Sequence, residues 1–281
     1  MMALLTAAPA EASGAGLMLA GLALLLMLAE ALYLRISGGP GHDGAETAAS
    51  LLVALGHKAI GVLTAGLVAV PVLFVADHRL LDIRIDGPWM VAVLFVAVDL
   101  AYYIHHRAMH KVRWLWATHA VHHSARRINL TAAVRLGWGG PLTGGIVFYL
   151  PLVALGFSPF AVFGMLGLGL AYQFALHLAH PPHLGPLEWV LNTPRHHLVH
   201  HASNRACLDR NFGGVLIVFD RLFGTFAEAP RDEALVFGLA GGAPGVNPLA
   251  VAMVGWVPLL RAVRDARGSR ARLSALFGPP S

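Results

Sequence analysis

Charge is scarce in this 281-residue sequence: 12% of its residues are Asp, Glu, Lys or Arg, while 57% are hydrophobic. A soluble domain carries about 25% charged residues. The deficit excludes an ordinary soluble fold and points to a bilayer before any segment is read. Cysteine is scarcer still. The single Cys207 excludes an intrachain disulfide, a cysteine-rich zinc ribbon and a self-contained iron–sulfur site. The net charge of +5 makes no case for nucleic acid, because the basic residues flank apolar runs where anionic lipid headgroups are the simpler partner. No Lys or Arg precedes the first apolar run and Glu11 comes early, so that run is expected to be a retained helix and not a secretory signal.

What is present in quantity is long apolar sequence. Runs over residues 14–34, 48–75 and 88–104 are each long enough to cross a membrane. His57 and Lys58 fall inside the second. Two further runs, 141–157 and 160–176, each near the lower limit for a span, are divided by Gly156-Phe-Ser-Pro159 and read as a tight hairpin that is either re-entrant or two further crossings. The expected fold is all-α and integral to the membrane. It has about four membrane helices, five if both short runs cross, and a cytosolic helical cap. Its expected parts are an N-terminal transmembrane region (1–87), a catalytic domain (88–235) and an amphipathic, basic tail (236–281). That tail carries Arg261, Arg264, Arg267, Arg270 and Arg272. Of the 20 basic residues, all but Arg35, Lys58, Arg79 and Arg84 lie at or after Arg107, and none falls between Leu136 and Pro194. By the positive-inside rule the polar segments on either side of the hairpin face the cytoplasm.

Those polar segments hold most of the 16 histidines. Residues three and four apart share a helix face. His106 and His110 form one such pair. His119, His122 and His123 form an i, i+3, i+4 triplet, and His197, His200 and His201 form a second. His177, at the end of an apolar run, offers a ninth imidazole, with His180 one turn on. One zinc needs three or four ligands, so eight or nine imidazoles imply two metals with about four each. Carboxylates are scarce nearby, which excludes the soluble paired Glu and Glu-x-x-His pattern. An imidazole-only pair suits iron, with zinc or copper open by ligand type. A b-type heme needs only two axial histidines and leaves the triplets without a role. Asp99 and Tyr103 precede His106 and His110 on the same face, and Asp99 is expected to accept a hydrogen bond from a ligand imidazole. His42, His57 and His78 read as structural. His105, His183 and His196 adjoin the clusters but fall off the shared face.

Residues 99–226 resemble the fatty acid hydroxylase/sterol desaturase superfamily of integral membrane proteins. The resemblance rests on Asp99-Leu-Ala-Tyr-Tyr-Ile-His-His-Arg-Ala-Met-His110, Trp116-Ala-Thr-His-Ala-Val-His-His-Ser124 and Asn192-Thr-Pro-Arg-His-His-Leu-Val-His-His201. It extends to Asp209-Arg-Asn-Phe-Gly-Gly214 and Phe219-Asp-Arg-Leu-Phe-Gly-Thr-Phe226. Asn129-Leu-Thr-Ala-Ala-Val-Arg135 and Tyr172-Gln-Phe-Ala-Leu-His177 look most like its alkylglycerol monooxygenase branch and bacterial relatives. The sequence departs from that branch after His177, where Leu178-Ala-His180 replaces a threonine and a glutamate.

The resemblance implies two non-heme iron ions held by the histidines, with Asp209 beside them. O₂ is the co-substrate, and no catalytic side chain is needed beyond the ligands. The implied reaction is hydroxylation of an unactivated C–H bond in an acyl, alkyl or similar lipid chain. The alternative is desaturation of a sterol or acyl chain on the same centre, and a membrane metal-binding or transport protein stands further off. No G-x-G-x-x-G follows a strand and no iron–sulfur cysteines occur, so electrons are expected from a separate reductase, ferredoxin or cytochrome. The expected location is a bacterial inner membrane, with the metals at its cytoplasmic face.

Overall fold

The computed structural model describes residues 9–38, 42–242 and 244–280. Among them the regular structure is helical, with no strand beyond three isolated bridges. In chain order the helices are α1 (Pro9–Ser37), α2 (Gly44–Leu63), α3 (Ala65–Asp77), α4 (Pro88–Lys111), α5 (Arg113–His123), α6 (Leu130–Ala133) and α7 (Gly140–Thr143). They continue with α8 (Leu150–Leu155), α9 (Pro159–Ala175), α10 (Pro194–His201), α11 (Val218–Leu222), α12 (Pro248–Ala252), α13 (Trp256–Asp265) and α14 (Ser269–Phe277). Two 3₁₀ turns, Gly145–Phe148 and Gly185–Trp189, precede α8 and α10.

Among the described residues three helices are long and apolar enough to cross a membrane: Gly16–Ser37 within α1, α2, and α4. The protein is therefore a membrane protein. The run expected as one span over 48–75 is two helices. Thr64, between Gly61 and Gly66, turns its hydroxyl back onto the Ile60 carbonyl at 2.6 Å, a bond that bends helices, and its own backbone leaves helical geometry. The run over 141–157 is not one helix either. Gly144 is left-handed at φ 77 and Pro151 withholds an amide, so α7, a 3₁₀ turn and α8 replace it. Only α9 continues the hairpin, as a 17-residue helix, shorter than the other spans.

α4 runs further than its apolar stretch. Pro88 starts it in the first turn, and no Gly or Pro follows until past Lys111, so the helix continues through His106 and His110. The first histidine pair is thus fixed rigidly to a membrane helix. Val91, Leu94, Val98 and Ala101 of α4 pack with Val153 of α8 and Val162 and Met165 of α9 into the largest apolar core. Val112 is extended, and α5 then turns back against α4.

Two buried acids from the first two helices tie the membrane region to the histidine region. Glu30 accepts from the Leu130 amide at 2.8 Å and the Ala179 amide at 2.9 Å. Glu46 accepts from the Arg126 amide at 2.7 Å. Lys58 faces outward, while His57 donates Nδ1–H to the Gly137 carbonyl at 2.8 Å. The tail is docked: Arg113 at the start of α5 donates to the carbonyls of Ala275 and Pro279 at 3.1 and 2.7 Å. The expected amphipathic run over 246–260 divides into α12 and α13 at Gly255, where a Cβ would lie 2.4 Å from the Ala117 carbonyl oxygen.

Candidate metal centre

Nine imidazoles converge in two groups. His106, His110, His119, His123 and His200 form one, and His122, His177, His197 and His201 the other. Within each group the candidate ligand nitrogens lie within 4.8 Å of one another. The pair comes from α4, the triplets from α5 and α10, and His177 from the turn after α9. Each triplet serves both groups. His119 and His123 face the first and His122 the second, while His197 and His201 face the second and His200 the first. Positions i and i+4 lie nearly one above the other, whereas i+3 sits to the other side of that line. H-x-x-H-H therefore reaches two adjacent sites from one helix.

Backbone carbonyls fix the rings. His106, His177 and His200 donate Nδ1–H to the carbonyls of Phe212, Gln173 and Arg210 at 2.8, 2.9 and 2.8 Å. A carbonyl can only accept, so Nδ1 carries the proton and Nε2 presents a bare lone pair inward. His177 Nε2 lies 3.2 Å from His122 Nε2 and 3.1 Å from His197 Nε2. His119 Nε2 lies 3.0 Å from His106 Nε2 and 3.1 Å from His123 Nε2. His110 Nε2 and His200 Nε2 are buried without a hydrogen-bond partner. Lone pairs this close repel unless a cation or a shared proton lies between them. Nine convergent nitrogens with two orphaned donor atoms fit a pair of metal ions of the kind imidazole binds. Burial, and then the neighbouring imidazoles, hold His119, His123 and His201 well below the ordinary histidine range. They are neutral at physiological pH, the state that ligates metal.

One loop carries much of the outer support. Asp209 and Asn211 are both left-handed, at φ 59 and 57, a region that non-glycine residues enter rarely and Asn and Asp more readily than most. Asn211 is held there by its side chain, which donates to the carbonyls of His196 and Ala227 and accepts from the Ala227 amide. The loop aims the Arg210 and Phe212 carbonyls at His200 and His106. Asp209 Oδ1 lies 3.5 Å from His110 Nδ1, and its other oxygen meets Lys111. The hydrogen bond to His110, with Lys111 beside it, holds the Asp209 carboxyl down at about 2. Asp220 accepts from the Phe212 and Gly213 amides at 2.8 and 2.7 Å and from the Thr225 hydroxyl at 2.7 Å.

Several expected residues sit elsewhere. Asp99 touches no imidazole. Its oxygens accept from the Val215 and Leu216 amides at 2.8 and 2.9 Å, so it anchors the end of the same loop. Tyr103 bonds Thr225 at 2.8 Å, again one step from the ligands. Their side chains leave α4 toward the 212–225 segment and not toward the histidine centre. His180 is exposed and packs edge-on to Tyr33 at 6.1 Å, outside both groups, because the chain leaves the helix after α9. His105 stacks on Phe148, His196 faces Phe226 and Thr193, and His183 lies near Glu188; none joins a group. His42 lies 3.4 Å from Glu30, and His78 bonds the Phe74 carbonyl at 2.8 Å. Sequence reasoning missed Glu30, Asn211 and Asp220 as supports. An acid inside an apolar run was the available signal for Glu30. The orienting carbonyls have no sequence signal at all.

Residues 91–225 match the fatty acid hydroxylase family model. Alkylglycerol monooxygenase of Xenopus tropicalis is 36% identical over 204 residues, which cover 73% of this chain and 45% of that protein. Human alkylglycerol monooxygenase is 43% identical over 176 residues, covering 62% and 38%. Ornithine lipid hydroxylase OlsE of Rhizobium tropici is 32% identical over 154 residues, covering 54% and 46%. The chain thus spans less than half the length of each of these relatives. No solved structure matches.

Proposed function

We propose, from the match of residues 91–225 to the fatty acid hydroxylase family model and the likeness to alkylglycerol monooxygenase, that this chain is a membrane-bound, O₂-dependent hydroxylase of a lipid's alkyl or acyl chain. The observation that carries the reading is the convergence of nine imidazoles, eight of them buried, into two groups at the ends of apolar helices. Two irons held by His106, His110, His119, His123 and His200, and by His122, His177, His197 and His201, would supply the O₂ activation.

The chain's own residues do the rest. Nδ1–H bonds to backbone carbonyls hold three of the rings in the tautomer that offers Nε2. Burial keeps the imidazoles neutral and water away from the reacting atoms. Asp209 holds His110 and faces solvent through Lys111. The net reaction inserts one oxygen atom into a C–H bond and reduces the other to water, using two electrons and two protons. A separate reductase, ferredoxin or cytochrome supplies the electrons. The names of the relatives, monooxygenase and hydroxylase, favour oxygen insertion over desaturation. The histidine side faces the cytoplasm by the distribution of basic residues, and the arginines of α13 and α14 meet anionic headgroups there. The relatives come from animals and from Rhizobium tropici, so they do not single out a bacterial inner membrane.

The test is lipid mass spectrometry on cells with and without the protein, paired with metal analysis of the purified chain. A lipid heavier by one oxygen, and iron in the protein, are the expected results. A lipid lighter by two hydrogens would make the chain a desaturase. Iron-free protein that consumes no O₂ would remove the reading.

A further inference from the structure

Where the 3₁₀ turn Gly185–Trp189 meets α10 and α11, a partly open cavity of about 230 Å³ is lined by His183, Glu188, Trp189, His196, Arg221 and Glu228. None of these residues belongs to either imidazole group. The Arg221 guanidinium lies over the Phe226 ring at 3.8 Å and the Trp189 ring at 4.8 Å, a stacking that holds its plane. It donates to the Glu188 carbonyl at 3.3 Å, while its Nε is buried with no partner. A buried donor without an acceptor is rare and costly. His183 Nδ1 accepts from the Gly185 amide at 3.0 Å, and His196 Nδ1 from the Thr193 amide at 3.4 Å. In the neutral rings Nε2 therefore carries the proton. Three unused donors border the cavity: Arg221 Nε and the Nε2 atoms of His183 and His196. Glu188 gives one oxygen to the Leu184 amide at 3.0 Å. Glu228 is exposed, and no hydrogen bond or ion pair joins it to another described residue.

This chemistry selects the occupant. The donors suit an anionic oxygen group, and a fixed guanidinium suits phosphate above others. A lone anion would meet two carboxylates. A phosphate joined to an ammonium satisfies both charges, its anion at Arg221 and its cation at Glu228. The cavity has room for roughly eight water-sized groups, enough for a phosphate with a short amine arm and not for hydrocarbon chains besides. The rim says where that group comes from. Trp189 is 68% exposed, Leu222 70% and Phe223 52%. Phe223 stacks on Tyr103 of the membrane helix α4 with rings 5.4 Å apart, and Ile104 next to it on α4 is also exposed. The apolar rim thus continues the outward surface of a span, and Trp rings settle at the membrane–water interface. A soluble zwitterion needs no such rim.

We propose that this cavity holds the headgroup of a zwitterionic phospholipid, with phosphate on Arg221 and ammonium at Glu228, and so seats the histidine region on the membrane surface apart from the spans. α10 begins at the cavity's edge and supplies His197, His200 and His201, so a held headgroup fixes the depth of the centre. The inference needs no turnover and stands apart from the hydroxylase reading. The full chain in detergent, with its metal, is mixed with dioleoyl phosphatidylethanolamine or dioleoyl phosphatidylglycerol, and retained lipid is read by native mass spectrometry. The two lipids share the phosphodiester and differ in the ammonium. Glu228→Gln should lower retention of phosphatidylethanolamine about threefold, the worth of an exposed ion pair. Glu228→Lys, which sets a like charge against the ammonium, should lower it about tenfold. Neither should lower retention of phosphatidylglycerol, because the arginines of the tail are the same in every variant. Arg221→Gln should lower retention of phosphatidylethanolamine about tenfold, as for a lost hydrogen bond to a charged group. Metal content per chain reports folding. If Arg221→Gln loses its metal, the two Glu228 variants carry the test, since that side chain holds nothing in the fold. Phosphatidylethanolamine retained equally by wild type and Glu228→Lys, or both lipids lost in parallel, overturns the proposal. Soluble phosphoethanolamine that competes at the lipid's own concentration would put a free small molecule in the cavity and overturn the membrane assignment.

Discussion

His123 and His201 stack ring on ring, centroids 4.5 Å apart and planes 26° from parallel, although His123 faces the five-imidazole group and His201 the four. The two groups therefore share a wall of side chains. Because α5 and α10 each feed both groups, neither site is assembled without those two helices in place.

The groups differ in redundancy, and this predicts unequal losses. His122→Ala leaves three imidazoles of four, whereas His200→Ala leaves four of five. Metal content should fall further in His122→Ala, by up to about one ion of two. Elemental analysis of both purified variants checks this, and a larger loss in His200→Ala would contradict the assignment of ligands to groups.

A second prediction concerns Asp220, whose oxygens take two backbone amides and one hydroxyl. In Asp220→Asn an amide nitrogen replaces one acceptor and faces an N–H. The cost should be about 1–3 kcal/mol. Displacing the Phe212 carbonyl from His106 should weaken metal binding by roughly 10–100-fold. Burial raises the Asp220 carboxyl above its ordinary value, so its protonated form is favoured in the fold. The sign follows: this group's contribution is greatest below the ordinary aspartate range and declines as pH rises through the raised value. Thermal unfolding of wild type and Asp220→Asn across acidic pH should show a steeper decline in wild type.

The histidines were the most legible part of the chain, since their spacing alone grouped them onto helix faces and pointed to two groups of imidazoles. The division of each triplet between two groups was not legible, because it depends on where neighbouring helices stand. The spans were legible as apolar length but not as helices. Thr64 and Gly144 interrupt runs whose hydropathy is continuous. Asp99 shows a further limit. Helical spacing placed it on a face with His106, but that face was wide enough for Asp99 to turn toward the Val215 and Leu216 amides instead.

The loop conformation at Asn211 predicts an order among substitutions. Asn211→Gly keeps the left-handed backbone but loses the bonds to His196 and Ala227. Asn211→Ala loses the same bonds and adds the left-handed penalty, about 1 kcal/mol. Alanine should therefore be the less stable of the two by about that amount, and should hold less metal. Denaturant unfolding in detergent measures the difference; equal stability would mean that the φ of 57 carries no strain.

Glu30 supplies the last prediction, because it joins a membrane helix to the segments that follow the α5 triplet and His177. It is buried, and its two oxygens accept from Leu130 and Ala179 separately. Glu30→Gln keeps one acceptor and turns an amide toward the other N–H. Glu30→Ala leaves both amides without a side-chain partner. The expected losses are about 1–3 kcal/mol for Gln and more for Ala, with the unsatisfied buried donors as the cause. The effect should be local at first, because the ligands come from α4, α5, the turn after α9 and α10, none of which α1 contributes. Hydrogen exchange at the Leu130 and Ala179 amides should rise before metal is lost. Metal loss without faster exchange at those amides would show that α1 supports the centre by some other contact.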